Sequence, residues 1–427
     1  MRIIEEIDSG GFGKIEKVEL SDGTIAARKT FSPSVKVATN EEREKLRKRF
    51  CREVRIQRGL SSDLFLPVLD ADLNGPAPWF TMPLADKSYI EQIEEDKQSG
   101  IITSEALADI LNGLEELHRL DYVHRDLKPA NILLHEGTWK LADFGLALPP
   151  NGGTSRLSSQ YSAWGSEHYA APEQYTDFSN VRPSADIYSF GCILHDLVAN
   201  ASRIPYQRQT CSGPFAPIIE KCTETIPTKR FKTISGLRSA LLGLLAQPNS
   251  IKISLESGEW IKELDSVNTW TIETVANFER YLKTTDTEQK WAILDKFNEE
   301  TITILSKLDP DLWLSLGLVY SDWARGSFDF SYCDVVAVRL LAIFKSTSSL
   351  ELKASIALSL AELAYSHNRW FVMERLFTIC GHSCDAAAAA RIALEIQAEE
   401  FQRPFKRCAE GIRRTPTMFH PIIAGVL

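Results

Sequence analysis

From Ser104 to the last residue the apolar side chains recur at helical spacing, whereas residues 1–85 alternate short strand-like runs with turns. This single change of period predicts an α+β chain: a small strand-rich lobe, a helical lobe, then more helices. In the first part, Val18-Glu19-Leu20 and Thr24-Ile25-Ala26-Ala27 flank Ser21-Asp22-Gly23, a good hairpin turn. Residues 41–60 predict a charged helix with Leu46, Phe50, Val54 and Gln57 on one face, and residues 64–73 and 79–84 predict two further strands. Five strands and one helix result. In the second part Ala106, Ile110, Leu111, Leu114 and Leu117 mark a helix, residues 185–199 another, and residues 218–244 more. Gln247-Pro248-Asn249-Ser250 reads as a linker. Beyond it, helices are expected over 268–283, 288–308, 312–323, 333–345, 350–365, 370–379 and 386–401, an all-α bundle or helical repeat.

With 427 residues the chain exceeds a single domain of about 100–200 residues. Its net charge of -9 disfavours nucleic acid and anionic membrane as partners. The basic run Arg43, Lys45, Arg47, Lys48, Arg49, Arg52, Arg55 and Arg58 is interleaved with glutamates and has only Phe50 as an aromatic platform. It reads as a solvated helix face. No apolar run approaches the roughly 20 residues that cross a bilayer. Met1-Arg2-Ile3-Ile4-Glu5-Glu6 lacks a signal core, so a cytoplasmic protein is expected. Eight scattered cysteines read as reduced thiols; Cys380-Gly381-His382-Ser383-Cys384 has no second cluster to complete a zinc site.

Three polar motifs follow in order: His124-Arg125-Asp126-Leu127-Lys128-Pro129-Ala130-Asn131, Asp143-Phe144-Gly145 and Ala171-Pro172-Glu173. Their joint order and spacing are hard to obtain by chance. Over residues 1–245 the chain resembles the eukaryotic-type (Hanks-type) Ser/Thr protein kinases, and its wording at Thr30-Phe31-Ser32-Pro33 and Met82-Pro83-Leu84-Ala85 is similar to soluble bacterial ones. The resemblance implies a bilobal kinase fold, with lobes at 1–85 and 86–247, ahead of a helical domain at 251–427. It implies transfer of the ATP γ-phosphate to protein hydroxyls with Mg2+, in bacterial signalling, stress or antiphage defence.

By the same resemblance Asp126 is the base, Lys128 neutralises the γ-phosphate, and Asn131 and Asp143 hold the metal. Ser9-Gly10-Gly11-Phe12-Gly13 resembles the phosphate lid, keeping Gly10 and Gly13 but with Asp8 in place of the first glycine. Lys29 grips the phosphates and pairs with Glu53, because a buried lysine needs a partner. Ile7, Ile15, Ala27 and Leu133 line the purine, Met82 is the gatekeeper, and the backbone of Pro83 and Ala85 meets the adenine edge. Gln57 stands where the lobe-aligning stack of His124 and Phe144 usually has an apolar residue.

The segment between Asp143 and Glu173 carries phosphosite candidates Thr154, Ser155, Ser158, Ser159 and Ser162. Arg125 and Arg49 are the expected arms of a phosphate pocket there, with Leu148 where a third basic residue is frequent. Ser166 replaces a usual threonine, Glu173 pairs with Arg230, and Asp186 anchors the catalytic loop. The residues from Gly165 to Glu173 distinguish this family from small-molecule kinases. A nucleotide-gated scaffold acting through the helical domain is the alternative to an enzyme. In that domain Trp313-Leu314-Ser315-Leu316-Gly317-Leu318-Val319-Tyr320 is similar to the opening of a tetratricopeptide repeat, although Asp329 breaks the second half. Residues 251–427 are the expected surface for a protein partner or self-association.

Overall fold

Alternating apolar and charged residues make the start of the chain into a sheet with one helix against it. The structure is a computed structural model and describes residues 1–9, 13–33, 39–60, 63–147, 166–176, 181–199, 201–245, 253–326, 328–367 and 369–427. Gly10, Leu148, Gly165, the candidate phosphosites Thr154, Ser155, Ser158, Ser159 and Ser162, and the expected linker at 247–250 lie outside these residues. Two compact units divide the chain, Met1–Leu237 and Arg238–Leu427.

In the first unit, strands β1 (Arg2–Ser9), β2 (Gly13–Glu19), β3 (Ile25–Phe31), β4 (Asp70–Asp72) and β5 (Trp79–Pro83) form an antiparallel sheet in the order β1-β2-β3-β5-β4. Helix α1 (Asn40–Gly59) opens with a capping box: Thr39 Oγ1 accepts from the Glu42 amide and Glu42 accepts from the Thr39 amide. Its Leu46, Phe50 and Val54 pack with Phe31, Leu66, Phe80 and Met82. The Phe31, Phe50 and Phe80 rings lie 5.9 and 5.7 Å apart in succession, and burying one such ring contributes about 2–3 kcal/mol.

The strand expected over 64–73 shrinks to β4. Leu66 N–H donates to Leu141 O and Leu141 N–H to Leu64 O, both at 3.0 Å. The first half of that segment therefore spends its backbone on a parallel bridge elsewhere, and Pro67 has no N–H to offer a ladder.

Below the sheet come β6 (Lys87–Ser88), α2 (Tyr89–Ser99), α3 (Ser104–Arg119), β7 (Ile132–His135) and β8 (Thr138–Leu141). The three strands pair in the order β6-β7-β8. Helices α4 (Pro172–Thr176), α5 (Ser184–Val198), α6 (Ala216–Cys222) and the start of α7 (Ile234–Leu245) follow. Helices α3 and α5 are buried along most of their length, so the irregular stretch from Tyr122 to Asn131 rests on a rigid base.

The second unit is helical throughout its described residues: α8 (Leu255–Leu264), α9 (Ile272–Thr284), α10 (Thr287–Leu294), α11 (Glu299–Leu305), α12 (Pro310–Trp323), α13 (Tyr332–Ser346), α14 (Leu350–His367), α15 (Trp370–Cys380), α16 (Ala386–Ala398), α17 (Gln402–Gly411) and α18 (Pro421–Ala424). Helix α14 is the hub, touched by α12, α13, α15, α16 and α17. A Cβ on Gly317 of α12 would stand 2.5 Å from Leu352, so glycine sets how closely α12 approaches α14. Trp313 and Tyr320 of the repeat-like stretch are buried in the same helix. The helix expected over 288–308 is two, α10 and α11. Asn298 interrupts it by taking the Thr301 N–H at 2.9 Å as an N-cap. Helices α8, α17 and α18 were not expected. Among the described residues no helix is long and apolar enough to cross a membrane.

Candidate active site

Strand β3 sets Ala27 opposite Met82 and Lys29 opposite Phe80 and Ile15. Alternation then puts Lys29 under the sheet, nearly buried. Its Nζ lies 2.7 Å from Glu53 Oε1 on α1 and 3.1 Å from Asp143 Oδ1. Burial opposes the charge on Lys29, but the Asp143 and Glu53 carboxylates outweigh it and raise its pKa. Burial pushes the Glu53 carboxyl up to about 7 against the pull of Lys29. Asp143 goes the other way. Burial works to raise it, yet Lys29 and Lys128 hold it well below the usual carboxylate range.

The loop from Tyr122 to Asn131 hangs from Asp186, fully buried on α5. Its carboxylate accepts from the His124 and Arg125 amides, each at 2.9 Å, and lies 2.8 Å from His118 Nε2. Burial disfavours the charge on Asp186, but the hydrogen bond from His118 prevails and its pKa is lowered. Arg125 takes a φ of +66° and Asp143 one of +60°. That left-handed backbone costs a non-glycine residue roughly 1–2 kcal/mol and persists only where the surroundings hold it.

Asp126, Lys128 and Asn131 form one cluster. Lys128 Nζ is 3.1 Å from Asp126 Oδ2, and Asn131 Nδ2 donates to Asp126 O at 2.8 Å and to Oδ2 at 3.2 Å. The Ala142 amide donates to Asn131 O at 2.9 Å, which sets Asp143 beside Asn131. Phe144 packs 5.3 Å from His124 and 5.6 Å from Phe65, ring centre to ring centre. A Cβ on Gly145 would meet Glu53 Oε2 at 3.1 Å and Asp143 Oδ1 at 3.2 Å, so the two carboxylates converge over a residue with no side chain.

Of the expected purine-lining residues, Ala27 and Met82 are buried in one cluster, with Ile15 and Leu133 packed partly exposed against it. Pro83 ends β5 opposite Ala26, and Ala85 follows half-buried. Ile7 is 48% exposed on β1, at a register shift between Glu6 and Asp8. Gly13 has a structural reason of its own: a Cβ there would sit 2.7 Å from Thr30 O.

Glu173 and Arg230 make a two-pronged pair at 2.7 and 2.8 Å, with the Arg230 side chain fully buried. Gln57 donates to Leu66 O at 2.6 Å, so its amide binds α1 to the segment before β4. Arg125 is buried, with Nη2 3.4 Å from Val181 O. Arg49 Nε donates to Gly145 O at 2.7 Å.

Sequence reasoning missed three groups. His118 supports Asp186 from α3. Gln174 donates to Arg125 O at 2.8 Å and accepts from the Ala171 amide at 3.0 Å. Asp196 accepts from Tyr169 Oη at 2.7 Å and from Arg203 Nε at 2.6 Å, while Arg203 also lies over the Tyr169 ring. Most of these bonds end on backbone atoms or join distant residues, and leave no local spacing signal.

A sequence model described as "Protein kinase domain" matches residues 1–252. The chain is 29% identical over 196 residues to Serine/threonine-protein kinase AfsK of Streptomyces coelicolor, covering 45% of this chain and 23% of that protein. It is 30% identical over 219 residues to the Probable serine/threonine-protein kinase PkwA of Thermomonospora curvata, covering 51% and 28%. To Serine/threonine-protein kinase PknL of Mycobacterium tuberculosis it is 31% identical over 182 residues, covering 40% and 45%. The match thus spans less than half the length of each of these curated relatives.

Proposed function

Because the chain belongs to the protein kinase family, we propose that it transfers the γ-phosphoryl group of ATP to serine or threonine hydroxyls of a protein. One observation carries this reading: Asp126, Lys128 and Asn131 form a single hydrogen-bonded cluster, with Asp143 beside it and bound to the Lys29–Glu53 pair. A scaffold that only bound nucleotide would have no use for that cluster.

Asp126 is the base. Asn131 fixes its carboxylate, which orients the substrate hydroxyl and takes its proton as the new O–P bond forms and the bond to the leaving phosphate breaks. Lys128 sits against the same carboxylate and balances charge gathering on the transferred group. Lys29, held by Glu53, grips the nucleotide phosphates. Ala27, Met82, Ile15 and Leu133 offer the purine an apolar slot.

Mg2+ fits the donors present. The Asn131 side-chain carbonyl and Asp143 carboxylate are hard oxygens, the Ala142 amide beside Asp143 donates to the main-chain oxygen of Asn131, and Asp143 stays ionised. Bound there, Mg2+ would screen the phosphate charge. Membership of the family and the names of the relatives support a protein acceptor. We assign the lobes to 1–85 and 86–247. Residues 251–427 would recruit a protein substrate or regulate the kinase, in the cytoplasm and away from nucleic acid and membrane, as the acidic charge favours.

The test is incubation with Mg-ATP beside Asp126→Asn, with phosphate located by peptide mass spectrometry. Phosphate on Thr154, Ser155, Ser158, Ser159 or Ser162, or on an added protein, in the parent and a drop of roughly 10²–10⁴-fold in the variant is the expected outcome. Equal incorporation by the two proteins would remove Asp126 from the mechanism.

A further inference from the structure

The backbone turn at Asp143 needs holding, because its φ lies in the left-handed region. Three holds are present. Lys29 Nζ lies 3.1 Å from the Asp143 carboxylate. Phe144 is gripped between His124 and Phe65. The third hold is Arg49 Nε, which donates to Gly145 O at 2.7 Å across 96 residues of chain. The Gly145 amide itself reaches Asp143 Oδ1 only weakly, at 3.4 Å. Arg49 is four residues before Glu53 on α1, so one face of this helix delivers both the partner of Lys29 and the bond to the Gly145 carbonyl.

We propose that Arg49 is a positioning residue: it fastens the Asp143-Phe144-Gly145 turn to α1 and so keeps the Asp143 carboxylate aimed at a divalent cation. This rests on the reading that Asp143 holds the metal of the nucleotide. Sequence alone assigns Arg49 to a phosphate pocket of the segment after Gly145, whose candidate phosphosites lie outside the described residues; the geometry shows its Nε bonded to a carbonyl of the Asp143-Phe144-Gly145 turn. Arg52, half-buried and repelled by Arg49, is the natural control for charge without the bond.

The experiment uses the full chain and a fluorescent ATP analogue, titrated with Mg2+ at fixed nucleotide. Arg49→Gln raises the Mg2+ concentration at half-maximal binding by about tenfold, the usual effect of losing a group that orients a metal ligand. It leaves binding in EDTA unchanged, and Arg49→Lys falls between the two. Arg52→Gln leaves the midpoint where it is. Circular dichroism confirms folding, and Arg49→Lys carries the comparison should the glutamine variant fail to fold. An unchanged midpoint in Arg49→Gln, an equal shift in Arg52→Gln, or nucleotide binding by the parent that ignores Mg2+ overturns the proposal. The readout needs no phosphate transfer. A parent that transfers none yet shows the Arg49-dependent midpoint sinks the phosphotransfer reading and leaves the role of Arg49 standing.

Discussion

Glu53 carries the clearest proton linkage in the site. Its carboxyl is pushed from an ordinary 4.5 up to about 7, by burial first and by the nearby Asp143 charge, against Lys29. Between those two values the native protein binds a proton that the unfolded chain has released. Glu53 therefore favours the fold at low pH, and that contribution is lost as pH rises through 7. In metal-free protein, urea melts at a series of pH values should give Glu53→Gln a flatter fall in stability from pH 5 to 7 than the parent. A parallel pair of curves would place the shifted carboxyl elsewhere. At this scale the sequence was most legible where chemistry demands fixed residue types at short range. Asp126, Lys128 and Asn131 stand within six residues and meet as their spacing implies. Lys29 and Glu53 were paired through the family resemblance and the distance of Glu53 from the following strand, and the structure joins them across 24 residues. The role of Arg49 was not legible, since its acceptor is a main-chain oxygen that every residue possesses.

Elements were legible where their apolar period is clean. Helices α12 to α16 fall within a few residues of expectation. Helix α8 was missed because Gly258 and its charged neighbours dilute the period. Helix α17 was missed because Pro404 and the interspersed Arg403, Lys406 and Arg407 mask the buried Phe405, Cys408 and Ala409. One contact between helices is a buried ion pair. Arg369 of the α14–α15 junction grips Asp334 of α13 through two bonds of 2.8 Å, with both side chains essentially out of water. Arg369→Ala removes the guanidinium from the buried Asp334 carboxylate and should cost about 3–5 kcal/mol in denaturant melts. Replacing both partners with apolar residues of similar size should restore most of that loss. A small effect in the single variant would mean that water reaches Asp334.

For the whole molecule, the surplus of acidic residues sets the long-range field. At a net charge of -9 the chain should form no saturable complex with duplex DNA at physiological salt in a mobility-shift titration. A complex that weakens with added salt would reveal a basic surface acting against the average. Each unit also has its own interior, and in the first Asp186 is a fully buried carboxylate. Helices and strands usually own the slowest-exchanging amides, while irregular loops exchange quickly. Here two consecutive amides of an irregular loop, those of His124 and Arg125, end on a carboxylate with no exposed surface. Deuterium should therefore enter those two positions about as slowly as it enters the middle of α5. Exchange of Asp186→Asn by mass spectrometry would show the same stretch labelling early. The loop that carries the chemistry would thus belong, by its opening free energy, to the core.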